Sequence, residues 1–163
     1  MPSIQRFFAR RRNAAAGIYG TVVATSIIAG LSEAHDLRPR QALEILLVGQ
    51  VVLWIAHVYA GYLAHKVEHV GPIVDSLRAV AVDDWPMLRA CLPAAAALLL
   101  WWLGVLSENA SYWLALGLGL GELAALGFAY GRRLGQSVWV ATATGAVDGG
   151  LGALLVVAKV LAS

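Results

Sequence analysis

The sequence predicts an all-α integral membrane protein, a polytopic bundle of about five transmembrane helices with one short cytoplasmic interfacial helix. Three observations carry that prediction. The first is composition: 60% of the 163 residues are hydrophobic and 13% are charged, with a mean hydropathy of +0.71. Soluble domains are about half apolar and a quarter charged, so these charges are too few to coat a water-facing surface. The second is that five stretches approach or exceed the roughly 20 apolar residues needed to cross a hydrocarbon core as a helix. The third is that Lys and Arg gather in alternate connecting segments.

The spans run approximately over 14–31, 42–64, 88–107, 112–131 and 138–161, in a single domain of residues 1–163. The first follows a basic start, Arg6, Arg10, Arg11 and Arg12, as a signal peptide would. Its apolar run is longer than a usual signal core and no convincing small-residue cleavage site follows it, so it reads as a span. With the N-terminus cytoplasmic, the inner segments hold Arg6–Arg12, then Lys66, Arg78 and Arg89, then Arg132 and Arg133. The outer turn "SENASY" holds no Lys or Arg, while "SEAHDLRPRQ" sets two against Glu33 and Asp36. The expected location is therefore the cell membrane, multi-pass, with the N-terminus inside.

Between the second and third spans, Ile73, Val74, Leu77, Val80 and Ala81 recur at helical spacing, with Asp75, Ser76 and Arg78 largely opposite. That pattern predicts a short helix over about 72–82 lying in the cytoplasmic interface. Asp84 is placed to cap the third span, with Pro86 in its first turn. Cys91 stands alone, which excludes a disulfide framework and a cysteine-based zinc cluster. No basic face interleaved with aromatics is present, so nucleic acid is not an expected partner.

The second span carries the most informative pattern. At about 100° per residue, Gln50, Trp54, His57, Gly61, His65 and Glu68 fall within a sector of roughly 80°. Polar groups in lipid turn towards other helices or water, so this stripe is expected to face inward. A helix from Gln41 to His69 measures about 43 Å against a hydrocarbon core of about 30 Å. His65, Glu68 and His69 then emerge at the cytoplasmic rim, while Gln50 and His57 stay at membrane depth.

His65-Lys66-Val67-Glu68-His69 fits the H-x-x-E-H pattern of the zinc-dependent inverzincin peptidases. The resemblance spans five residues, and those enzymes need a further distant acidic ligand in a folded chamber. Histidines at i and i+4 can share a divalent metal such as zinc, with Glu68 as base or outer ligand. The competing reading is a solvated helix end of mixed charge.

Two carboxylates fall within spans. Asp148 lies near the middle of the fifth, among Ala141, Thr144, Gly145 and Gly152, and Glu122 lies in the fourth. A charge at such depth marks either an ion pathway or a structural pairing. Gly117 with Gly121, Gly127 with Gly131, and Gly145 with Gly149 form small-xxx-small pairs that predict close helix contacts, within a protomer or between protomers. On the first span Gly17, Thr21, Thr25 and Ser32 share one side, expected either to bond back to their own helix or to line a polar pathway.

Together these residues favour a small transporter or channel for protons or small cations, working through Gln50, His57, Glu122 and Asp148. Five short helices enclose little volume, so a homo-oligomer is expected. A membrane scaffold or subunit without chemistry of its own is the alternative. A metal-dependent membrane enzyme using His65, Glu68 and His69 ranks behind both.

Overall fold

The computed structural model describes residues 2–34, 36–68 and 73–162. The described residues are helical almost throughout: α1 (Pro2–Leu31), α2 (Pro39–Glu68), α3 (Ile73–Asp83), α4 (Trp85–Arg89), α5 (Leu92–Trp102), α6 (Glu108–Arg133) and α7 (Val138–Ala162). Among the described residues three helical stretches are long and apolar enough to cross a membrane, Pro39–Ala64, Trp85–Trp102 and Glu108–Arg133, and α1 adds the shorter apolar run Ala15–Leu31. These lengths are compatible with a membrane location.

The surface is far more apolar than that of a water-soluble domain, and several polar side chains are buried. Val48, Val52, Ile55 and Tyr59 of α2 point outward, while Gln50, Thr21, Thr25 and Ser111 are sealed inside. In lipid an exposed valine costs nothing and a hydroxyl or amide needs a partner, so this partition is the stable one. The central core joins Ala24, Ile28 and Leu31 of α1 to Ala42 and Leu46 of α2. Cys91, Ala94, Ala97 and Leu98 from the third apolar segment complete it with Tyr112, Ala115 and Leu116 of α6. Half of that set is alanine or cysteine, which lets backbones approach where dispersion rather than water release drives association.

The predicted third span differs most from the structure. It begins at Trp85, ends at Trp102, and breaks into α4 and α5 at Ala90 and Cys91. Pro93 supplies the reason, because it has no N–H to give the Arg89 carbonyl and its ring disfavours helix just before it. Asp84 does occupy the N-cap position of α4 with Pro86 following, yet its side chain makes no capping bond. It is buried instead, with Oδ2 over Gly61 of α2.

Other boundaries move outward. Helix α1 starts twelve residues before its predicted span, since the basic segment continues the helix. Helix α6 starts at Glu108, where Ser107 caps it by accepting from the Ala110 N–H at 3.3 Å. It ends with Arg132 and Arg133 against the negative helix end, closed by Gly135 at φ +75°. Helix α3 covers Ile73–Asp83, one residue from the predicted interval at each end. Its Val80 is buried against Gly61 of α2, while Ile73, Val74 and Val82 remain exposed.

Helices α6 and α7 make the most extensive pairing in the molecule, and α1 lies against α6, α4, α2 and α7. That arrangement puts the predicted polar stripe of α2 and the carboxylate of α6 on either side of α1 and the α4–α5 break.

Candidate functional site

The break in the third apolar segment organises the polar groups around it. Interrupting a helix strips carbonyls of their usual donors, and in an apolar interior side chains must replace them. The fully buried Gln50 does so from α2: its Nε2 donates to the Met87 carbonyl at 2.8 Å and to the Gly20 carbonyl of α1 at 3.3 Å. Cys91 does so locally, its thiol donating to the Leu88 carbonyl at 3.2 Å. Gly20 makes the crossing possible, because a Cβ there would run into the carbonyl oxygen of Met87 and its backbone carbons.

The stripe on α2 faces α1, α3 and α4. Trp54 meets Trp85 edge to face at 6.4 Å, and a Cβ on Gly61 would lie 2.8 Å from Val80. His57 is the exception. It is exposed and stacks on Tyr19 of α1, with centroids 5.9 Å apart and planes at 29°. It sits at one edge of the predicted sector, and the neighbouring helices do not extend over it. His65 and Glu68 fall on the last turn of α2, where the structure describes backbone only, and His69 lies outside the described residues. Among the described residues no group of three or more His, Cys, Asp or Glu is placed to hold a metal ion.

Glu122 occupies the other side of the break. It is half-buried near the middle of α6, about 21 Å along a helix of about 39 Å. Its carboxyl acts on the Cys91 thiol electrostatically and meets the Thr21 side chain of α1. Its Oε2 is sealed from solvent with no hydrogen-bond partner. Thr21 already donates its only hydroxyl proton to the Gly17 carbonyl at 3.0 Å, and Thr25 likewise bonds back to Thr21 at 2.8 Å. Thr25 packs on Gly119, where a Cβ would overlap its hydroxyl. The polar side of α1 thus turns to α6 as well as to α2.

Asp148 lies in the α6–α7 seam, against Gly127, where a Cβ would overlap its Oδ2. Along the same seam a Cβ on Gly131 would come within 2.8 Å of Ala141 Cα, and one on Gly145 within 2.6 Å of the Ala124 carbonyl. Gly149 is looser, with Ala124 Cβ at 3.4 Å. Gly117 and Gly121 are exposed, and a Cβ on either would meet nothing within 4 Å among the described residues. The structure therefore gathers Glu122, Thr21, Cys91 and Gln50 about the α4–α5 break, and keeps apart His57, exposed on α2, and Asp148, in the α6–α7 seam.

Sequence reasoning passed over Gly20, Gly119 and the hydrogen-bonding role of Cys91. A readable signal existed for the break, since Pro93 close behind Pro86 leaves little room for one continuous helix. Compared with family models, curated proteins and solved structures, the chain matches none.

Proposed function

We propose that the chain moves protons or small cations across a bilayer as a homo-oligomer, with Glu122 taking up and releasing the cargo. The observation that carries this reading is the sealed, unpartnered Oε2 of Glu122 near the middle of α6. An uncompensated charge at such depth costs a few kcal/mol on insertion-derived scales, so the group resides there neutral or neutralised by a bound cation. The Thr21 side chain of α1 meets this carboxyl, so the charge it carries acts on the α1–α6 contact. A discontinuous helix beside the group is a recurrent device of transporters, because it exposes backbone dipoles to a cargo.

In this reading α1, α2, the broken α4–α5 segment, α6 and α7 are five spans with the N-terminus inside, and α3 lies in the cytoplasmic interface. The exposed Gly117–Gly121 face, bordered by Leu114, Leu118 and Phe128, is the contact between protomers. The test is flux into liposomes containing the purified protein, under a proton gradient and then an alkali-cation gradient. The wild type is expected to conduct, and Glu122→Gln to lose flux while keeping its helical content and assembly state. A stable, correctly inserted wild type that conducts under neither gradient overturns the proposal.

One observation favours a second reading, a membrane scaffold or subunit without chemistry of its own. Both amide protons of Gln50 are committed to backbone carbonyls, a fixing role that ties α2 to α1 and α4. Conduction lost in Glu122→Gln refutes that reading.

A further inference from the structure

We propose that one ordered water molecule, buried at the crossing of α1, α2 and α4, bridges Gln50 Oε1 and Trp54 Nε1. Gln50 is 0% exposed, and its amide can be oriented in only one way. The two atoms it meets, the carbonyl oxygens of Met87 and Gly20, accept and cannot donate. Nε2 must therefore face them, which turns Oε1 away. That oxygen is sealed from solvent without a donor. One turn along the same face of α2, the Trp54 indole Nε1–H is sealed without an acceptor.

The two atoms are complementary: one accepts only, the other donates only, and they do not bond directly. Leaving either unmet costs the desolvation of a buried polar group. Water is the ligand that answers both at once, accepting from the indole and donating to the amide oxygen. A metal ion could accept nothing from the indole and a carboxylate could donate nothing to the amide oxygen, so neither satisfies both atoms. The site needs no lid or opening to the bulk, and its existence does not depend on the chain's transporting anything.

The experiment is solution NMR on the full chain in nanodiscs, with nitrogen-labelled tryptophan. The Trp54 indole resonance is assigned by its loss in Trp54→Phe. The expected result is a rotating-frame cross-peak from water to the Trp54 Nε1–H, opposite in sign to the diagonal and so not due to exchange. In Gln50→Met that cross-peak is expected to disappear while the other five indole resonances persist. No dipolar cross-peak in the wild type overturns the proposal, as does a cross-peak that survives in Gln50→Met. Should Gln50→Met fail to fold, the wild-type spectrum decides alone.

Discussion

Gly145 and Gly149 look equivalent as a small-xxx-small pair, yet the α6–α7 seam makes them opposites. Alanine at Gly145 would place its methyl 2.6 Å from the Ala124 carbonyl oxygen, 3.2 Å from the Phe128 nitrogen and 3.3 Å from Phe128 Cβ. Two of those atoms are backbone on the facing helix, so the strain is relieved only by moving α7 away from α6. Overpacking of this kind costs about 1–3 kcal/mol. The gain from replacing a helical glycine by alanine is about 0.5–1 kcal/mol, which leaves Gly145→Ala less stable by up to about 2.5 kcal/mol. Gly149→Ala meets Ala124 Cβ at 3.4 Å, an ordinary contact, so it keeps the propensity gain and comes out more stable by up to about 1 kcal/mol. Equilibrium unfolding in mixed micelles of dodecyl maltoside and dodecyl sulfate, followed by far-ultraviolet circular dichroism, measures both. A Gly145→Ala protein at least as stable as wild type refutes the seam described here. So does a Gly149→Ala protein less stable than Gly145→Ala.

Two further outcomes follow from the same geometry. Gln50→Met is expected to lower unfolding stability in those micelles by about 1–2 kcal/mol, because the Met87 carbonyl loses its 2.8 Å donor in an apolar interior; unchanged stability contradicts the clamp. Gly117→Leu and Gly121→Leu, which touch nothing in the protomer, are expected to leave protomer unfolding nearly unchanged while shifting the assembly to smaller species in native mass spectrometry; an unchanged assembly removes this face from the proposed interface.

The polar stripe of α2 was legible because helical periodicity converts spacing into direction. Gln50, Trp54 and Gly61 share a sector, and each meets a neighbouring helix. His57 shares that sector and is nevertheless exposed, since periodicity says which side a residue is on and not how far a neighbour reaches. The glycine pairs show the same boundary. Gly127–Gly131 and Gly117–Gly121 have the same form in sequence; one meets α7 at backbone contact distance, the other nothing in the protomer. Hydropathy passes over the α4–α5 break because it averages over a window, and Pro93 scarcely changes the mean of "LPAAAALLLWW"; the proline spacing itself carried the signal.

Composition and periodicity alone determined an all-helical chain, apolar enough in several helices to cross a bilayer, with a polar side on α2 and carboxylates within α6 and α7. Those properties are local: each depends on residues within one helix and on the demand that backbone groups in lipid be satisfied within it. Tertiary structure alone decided that Gln50 serves the carbonyls of Met87 and Gly20, that Glu122 meets Thr21 beside Cys91, and that Asp148 rests on Gly127. Each is a contact between helices distant in sequence. Such contacts depend on ångström-scale fit between surfaces, which no periodicity within a single helix encodes.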